Sequence, residues 1–253
     1  MNIYNEITLG NKDDFDSVIF LLKKYGILVF PDFISLSKCS ELMETFNSIY
    51  NNNYEWAPIT EYSKGKCCRV TRTNIDQNKY SSLYEIFSSK WMESITHSYL
   101  GKNSFLNHEI FLVNDVPNSS HVAQDLHYDR IPTLKFFIYL TNTTSENGSF
   151  YCVPGSQINT KEIEQENRKS AILPNINETR DNASAYNGQE IPIEGKAGTL
   201  IIFDTDVLHR AGKVSTGERY VMRGHSRKDV YASNFQHKKK LRMYSLLRNL
   251  FQR

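Results

Sequence analysis

In the stretch Gln124-Asp125-Leu126-His127-Tyr128-Asp129, a histidine and an aspartate stand two positions apart. Side chains of an extended chain alternate between its two faces, so His127 and Asp129 point to the same side. An imidazole and a carboxylate on one face form part of a metal site. We expect the third ligand to come from a strand that folds back beside this one.

A second polar stretch, Phe203-Asp204-Thr205-Asp206-Val207-Leu208-His209-Arg210, follows an apolar segment and supplies a candidate third ligand, His209. Two imidazoles and one carboxylate occupy one triangular face of a six-coordinate metal and leave three adjacent positions open, as in non-haem Fe(II) oxygenases. A His-x-Asp pair alone often has no function, and a lone histidine at a strand end is more often a surface residue. Together the residues favour an iron site on His127, Asp129 and His209.

An arginine follows ten residues after His209, at the start of the next predicted strand. A 2-oxo dicarboxylate that chelates iron through its keto-acid end leaves its far carboxylate in need of a partner. The guanidinium of Arg219 suits this role because it is always charged and can bind a carboxylate through two hydrogen bonds. The alternative is a solvated charge at a strand end.

Length and composition are those of an ordinary globular protein. The chain has 253 residues, 40% of them hydrophobic, with a net charge of +2, which gives no global case for nucleic-acid binding. Its four cysteines form no C-x-x-C pattern, and the N-terminus has no signal-peptide pattern, so we expect a reduced, cytoplasmic setting.

The first hundred residues have mainly helical patterns. Apolar residues recur at helical spacing over residues 13–25 and 35–50, with Gly26 predicted to end the first helix, and again over residues 81–100. Residues 54–79 are polar and are predicted to form an irregular surface segment that could reach over a pocket mouth.

The remainder has strand patterns. Predicted strands cover residues 105–113, 134–141, 149–153, 190–193, 199–203 and 219–225. Asn147-Gly148 is a hairpin-type turn signal. Residues 157–189 are predicted to be an inserted loop with a short helix, and such insertions in barrels are often lids or substrate loops. Helices first and many short strands after predict an α+β fold whose strands close into a jelly roll.

The chain resembles the phytanoyl-CoA dioxygenase family of Fe(II)/2-oxoglutarate-dependent oxygenases. The matching pieces occur in the family's order between residues 25 and 225, and the ordered set is more specific than any one of them. They are Tyr25-Gly26-Ile27-Leu28-Val29, Gln124-x-x-His127-x-Asp129, Leu134 through Thr141, Glu146-Asn147-Gly148-Ser149-Phe150, Val153-Pro154-Gly155-Ser156, Gly198-Thr199 through His209, and Arg219.

The resemblance implies a double-stranded β-helix (a cupin-like jelly roll) with N-terminal helices packed on it. It also implies Fe(II) on His127, Asp129 and His209, and 2-oxoglutarate as co-substrate on Arg219. Asp129 favours hydroxylation, because related halogenases have a small residue in its place. Desaturation, ring closure and epimerisation use the same residues and stay open. The substrate of the family's namesake is not transferred to this chain.

Other polar residues are candidates for binding. Gln124 and Lys135 are predicted near 2-oxoglutarate, with a loop amide and a solvated lysine as the alternatives.

Arg223 shares a strand face with Arg219, so it is predicted to meet either a substrate anion or an internal acid such as Asp204 or Asp206. With Arg69 and Arg72, it suggests a small, anionic substrate.

We expect a single oxygenase domain over residues 1–253. Its predicted parts are a mainly helical part (1–101), a jelly-roll core (102–230) and a basic C-terminal helix (231–253). Residues 238–253 contain six Lys or Arg and no acid, so this helix could contact an anionic membrane or a partner, although packing on the domain is favoured. Two other classes stay open: a metal-binding jelly roll without turnover, and a protein that acts through this tail.

Overall fold

The computed structural model describes residues 3–10, 14–169 and 176–229. The helices are α1 (Ile3–Glu6), α2 (Phe15–Tyr25), α3 (Leu36–Asn52), α4 (Ser81–Phe87), α5 (Lys90–Leu100), α6 (Gln157–Lys169) and α7 (Ile176–Ser184). The strands are β1 (Ile27–Phe30), β2 (Ile59–Tyr62), β3 (Gly65–Thr71), β4 (Ser104–Asp115), β5 (Leu134–Tyr139), β6 (Phe150–Cys152), β7 (Ile191–Ile193), β8 (Leu200–Asp204), β9 (His209–Ala211) and β10 (Arg219–Lys228). Short 3₁₀ turns cover Arg72–Asn74 and Val122–Gln124.

The strands form two antiparallel sheets. The larger has the order β1-β8-β5-β10-β4-β3-β2, and the smaller has the order β7-β6-β9. Neighbours far apart in sequence, such as β1 beside β8, pair across the fold. The arrangement is the α+β jelly roll that the sequence pattern predicts, with helices added to the larger sheet.

Alternation along β5 divides the interior into two layers. Leu134, Phe136 and Ile138 pack in the cluster that includes residues of the N-terminal helices, whereas Phe137 and Tyr139 pack with residues of the smaller sheet. Lys135 has the same parity as Phe137, so it lies on the inner side and is buried. The lysine that interrupts this apolar strand therefore faces the space between the sheets and not solvent.

The early helices begin and end where their capping residues predict. The Asp14 side chain accepts a hydrogen bond from the backbone N–H of Ser17 at the start of α2, and Gly26 ends that helix in the left-handed conformation with φ of 69°. Ser35 caps α3 in the same way through the N–H of Lys38. The helical pattern predicted over residues 81–100 is confirmed and forms two helices, α4 and α5, with Gly101 capping α5.

The prediction of an irregular surface segment over residues 54–79 was wrong. Strands β2 and β3 lie in this segment and extend the larger sheet beyond β4. Cys68 and Val70 of β3 are fully buried. Of the two, β2 is the edge strand of the sheet, and the polar side chains that suggested a loop, such as Thr60, Glu61 and Lys66, lie on exposed positions.

Two further expectations need correction. Residues 157–189 form two helices, α6 and α7, instead of a loop with one short helix. Asn147-Gly148 does form a turn, with Gly148 at φ of 92°, but β5 and β6 on either side belong to different sheets. The turn therefore carries the chain from one sheet to the other and does not close a hairpin.

Among the described residues, no helix is long and apolar enough to cross a membrane. The predicted basic helix over 231–253 lies outside the described residues.

Candidate metal centre and its cavity

A short backbone ladder brings the two candidate histidine ligands side by side. The N–H of His127 donates to the carbonyl of His209 at 3.0 Å, and the N–H of His209 donates back at 2.8 Å. The N–H of Asp129 donates to the carbonyl of Thr205 at 3.0 Å. The His-x-Asp stretch is thus paired with the chain that leads into β9, and alternation places His127 and Asp129 on one face.

Second hydrogen bonds orient both imidazoles. The Nδ1 atoms of His127 and His209 each lie 2.7 Å from a backbone carbonyl oxygen, of Asp125 and Val207 respectively. Since a carbonyl only accepts, each Nδ1 carries the hydrogen and each Nε2 keeps its lone pair. The two Nε2 atoms lie 3.6 and 3.7 Å from Oδ1 of Asp129, and one ligand atom from each residue lies within 4.8 Å of the others.

The Asp129 carboxylate uses its two oxygens differently. Oδ1 faces the histidines, whereas Oδ2 lies 2.6 Å from the Lys135 ammonium. Burial alone would raise the pKa of Asp129, but Lys135 and the histidines outweigh it and hold the pKa well below its usual value. Burial lowers the pKa of Lys135 to about 8, against the attraction of Asp129. The site thus contains a carboxylate anion and two oriented imidazoles.

Burial also keeps His209 neutral. Its surroundings lower its pKa well below the usual value, mainly through desolvation and then through the nearby His127. A neutral imidazole with a free Nε2 is the form that binds a metal. Two imidazole nitrogens and one carboxylate oxygen fit the donor set of a non-haem Fe(II) centre.

These residues form part of the wall of a cavity of about 280 Å³ between the sheets. It is lined by Val113, His121, Ala123, His127, Asp129, Lys135, Phe137, Phe150, His209, Ala211, Arg219, Val221, Arg223 and His225. A larger cleft of about 660 Å³, lined in part by Lys161 and Asp204, contains none of the three ligands. The smaller cavity is the functional candidate because it holds the metal-ligand geometry.

Arg219 lies in this cavity, as its predicted role requires, and is already held by two partners. Its Nε donates to Oδ2 of Asp115 at 3.2 Å, and Nη2 forms an ion pair with the same oxygen. Its Nη1 donates to the carbonyl of Gly148. Asp115 is fixed in turn, because the Tyr62 hydroxyl donates to its Oδ1 at 2.7 Å. The guanidinium therefore has a fixed orientation.

Three other predicted binding residues do not line the cavity. The side-chain amide of Gln124 donates to the carbonyl of Ser119 at 2.9 Å. Arg69 forms an ion pair with Glu109, outside the lining residues. Arg72 donates to the hydroxyl of Ser88 at 3.1 Å.

Arg223 and His225 do line the cavity, on the same face of β10 as Arg219. His225 pairs in register with Lys135, and its Nε2 is buried without a hydrogen-bond partner among the described residues. His121 also lines the cavity. Sequence reasoning missed it because His121 precedes the His-x-Asp pair by six residues, and no spacing rule relates the two.

The chain matches the family model described as Phytanoyl-CoA dioxygenase (PhyH) over residues 22–221. It therefore belongs to this family of Fe(II)/2-oxoglutarate-dependent enzymes. The family match confirms the predicted family, the enzyme class and the cofactor chemistry. A search of curated proteins finds no match to the chain.

Solved structures share the fold at low identity. The non-haem α-ketoglutarate-dependent epimerase SnoN from nogalamycin biosynthesis is 14% identical, with a TM-score of 0.60, over 84% of this chain and 82% of that one. The carbocyclase SnoK from the same biosynthesis is 13% identical, with a TM-score of 0.61, over 85% and 84%. HygX from Streptomyces hygroscopicus, crystallised with nickel and 2-oxoglutarate, is 12% identical, with a TM-score of 0.58, over 83% and 86%. These likenesses confirm the predicted jelly-roll fold.

Proposed function

We propose that this enzyme hydroxylates an unactivated C–H bond of a small, anionic biosynthetic intermediate, with iron bound by His127, Asp129 and His209. The observation that carries the proposal is the convergence of three ligand atoms within 4.8 Å in a cavity that also contains Arg219. The bound Fe(II) and 2-oxoglutarate supply the oxidation, in which O₂ and 2-oxoglutarate become succinate and CO₂.

The protein's part is to orient the ligands before any substrate arrives. His127 and His209 present Nε2, because their Nδ1 atoms are held by backbone carbonyls. Asp129 presents Oδ1, because Lys135 holds Oδ2. Such supporting contacts are typically worth 10- to 100-fold in metal affinity or activity, roughly.

In the same proposal, Arg219 binds the far carboxylate of 2-oxoglutarate. A guanidinium has five N–H groups. The contacts to Asp115 and Gly148 use three of them, which leaves two for a carboxylate. The proposed contacts of Gln124 and Lys135 with 2-oxoglutarate have less support, because both side chains are already bound to other groups.

The anionic character of the substrate is supported by the charges of the cavity wall. Lys135, Arg219 and Arg223 line it, whereas Asp129 is the single lining acid among the described residues. Iron adds further positive charge, so a second anion besides 2-oxoglutarate would be well accommodated.

A different outcome of the same oxidation is the second candidate. SnoN is an epimerase and SnoK a carbocyclase, although both share the fold of this chain. Epimerisation, ring closure or desaturation would use the same iron and 2-oxoglutarate residues. Product analysis after turnover distinguishes them, because hydroxylation adds one oxygen atom from O₂ and the other outcomes add none.

The single-domain organisation and a cytoplasmic location are part of the proposal. The four cysteines, Cys39, Cys67, Cys68 and Cys152, are all free thiols in the structure. Free thiols are typical of a reducing compartment.

The deciding experiment is an anaerobic titration of the metal-free protein with Fe(II) and then with 2-oxoglutarate. Binding is measured by the weak visible charge-transfer band of the chelate. We expect the band in the wild type and in His97→Ala, a control outside the cavity, and we expect no band in His209→Ala. No band in a folded, iron-treated wild type would contradict the proposal and favour a binding protein without turnover. A band without succinate formation would indicate a metal site that does not turn over.

A further inference from the structure

The lysine and arginine side chains around the cavity differ in whether a carboxylate of the protein lies within ion-pair distance. Lys135 pairs with Asp129, Arg219 with Asp115, and the flanking Arg69 and Arg227 with Glu109. Among the described residues, Arg223 is a cavity-lining cation that has no acid within ion-pair distance. The internal acid predicted as its partner, Asp204, pairs instead with Lys161 at 2.5 Å.

The surroundings of Arg223 are aromatic and poorly solvated. Its guanidinium carbon lies 4.9 Å from the ring centre of Phe111 and 5.5 Å from that of Phe137. Its Nε is buried without a hydrogen-bond partner. The Cys67 thiol is close enough that the charge of Arg223 opposes the rise in thiol pKa that burial causes. The two rings hold the guanidinium in place and provide no negative charge.

A partly buried cation without a counter-ion is unfavourable, so a ligand is the expected source of the missing anion. The far carboxylate of 2-oxoglutarate is assigned to Arg219, four residues away along β10, which corresponds to about 13 Å of strand at ~3.3 Å per residue. We propose that Arg223 binds a carboxylate of the primary substrate, a reading that rests on the proposed function above.

The chemistry of the position favours a carboxylate next to an apolar carbon group. A guanidinium forms two parallel hydrogen bonds with a planar carboxylate. Phe111 and Phe137 beside it give apolar surface for the carbon atoms that follow the carboxylate. Arg69 approaches the same Phe111 ring at 5.7 Å but forms an ion pair with Glu109, which also pairs with Arg227, and this makes Arg69 a matched control.

The test uses protein loaded with Ni(II), which supports no turnover, and saturating 2-oxoglutarate. Acetate, butyrate, benzoate and inorganic phosphate serve as probes, and binding is measured by calorimetry and by the shift in melting temperature. We expect butyrate and benzoate to bind the wild type and Arg69→Met. We expect Arg223→Met to bind them on the order of tenfold more weakly or worse, and Arg223→Lys to fall between. Ni(II) and 2-oxoglutarate binding should be unchanged in all variants.

Other results would contradict the proposed carboxylate site at Arg223, and each would point to a different explanation. Competition between the carboxylates and 2-oxoglutarate, or loss of 2-oxoglutarate affinity in either Arg223 variant, would assign Arg223 to the co-substrate. Binding of phosphate alone, or of no probe, would exclude a carboxylate site while leaving the metal centre intact. Failure of the wild type to bind Ni(II) and 2-oxoglutarate would instead contradict the proposed function. Should Arg223→Met not fold, Arg223→Lys and Arg223→Gln provide the comparison.

Discussion

At the scale of single residues, Asp129 has two tasks, one for each carboxylate oxygen. Oδ1 faces the two histidines, and Oδ2 neutralises Lys135, which is buried on the inner side of β5. The proposed metal ligand Asp129 is therefore also the counter-ion of a buried lysine. Loss of Asp129 should affect the folded protein even where no metal is involved.

The prediction is that Asp129→Asn loses metal binding and also destabilises the metal-free protein by about 1–3 kcal/mol, because Lys135 becomes a buried cation without a partner. The double variant Asp129→Asn/Lys135→Met should recover most of this stability and still bind no metal. Urea unfolding in chelator measures the first effect, and Ni(II) calorimetry measures the second. Equal stability of Asp129→Asn and wild type would show that the ion pair contributes nothing.

At the scale of elements, helices α6 and α7 contact the His-x-Asp stretch through Tyr128, the residue between His127 and Asp129 in sequence. The Tyr128 hydroxyl donates to the buried carboxylate of Glu164 on α6 and accepts from the side-chain amide of Asn182 on α7 at 3.2 Å. Arg180 of α7 lies 3.7 Å from Asp125. No described residue of 157–189 lines the cavity. The described part of this segment therefore holds the His-x-Asp stretch in place, and a role of the segment as a lid or substrate loop stays a prediction.

Tyr128→Phe should weaken Ni(II) binding by roughly tenfold, since outer contacts of this kind orient metal ligands. It should also make residues 157–189 more sensitive to limited proteolysis. Tyr151→Phe is the matched control, because the Tyr151 hydroxyl has no hydrogen bond within the described part of the chain and should be silent in both assays. Unchanged metal affinity in Tyr128→Phe would show that the contacts of Tyr128 with the two helices do not orient the metal ligands.

At the scale of the whole molecule, the site joins the two sheets. His209 begins β9 of the smaller sheet, whereas Arg219 begins β10 of the larger one. Backbone pairing between His127 and His209, and the hydrogen bond from Arg219 to the Gly148 carbonyl just before β6, hold these parts together through protein groups alone. The site should thus be organised before cofactors bind, and binding should stabilise the fold further.

We therefore expect the chelator-treated protein to remain folded by circular dichroism. Ni(II) with 2-oxoglutarate should raise its stability, by about 2.7 kcal/mol when the free ligand is a hundredfold above its Kd. The gain should rise with ligand concentration and be absent in His209→Ala. A protein that unfolds when the metal is removed would show that the metal, and not the backbone ladder, assembles the site.

The features that depend on local periodicity and on the order of motifs could be predicted from the amino-acid sequence. Alternation places His127 and Asp129 on one face, and the caps at Asp14, Gly26 and Ser35 define the early helices. The ordered set of motifs through His209 and Arg219 identified the family. None of these required knowledge of which distant strands pair.

The partners of the β10 arginines could be found only in the folded chain. Arg219 has Asp115, and Arg223 has no protein carboxylate among the described residues, because the pairing of β10 with β4 and β5 sets these distances. The pairing of β3 with β4 also brings β2 and β3 into the larger sheet, although the exposed polar residues of these strands resemble a loop in the sequence. Local patterns report the face on which a side chain lies, whereas its partner depends on strands that are distant in sequence, as β4 and β10 are.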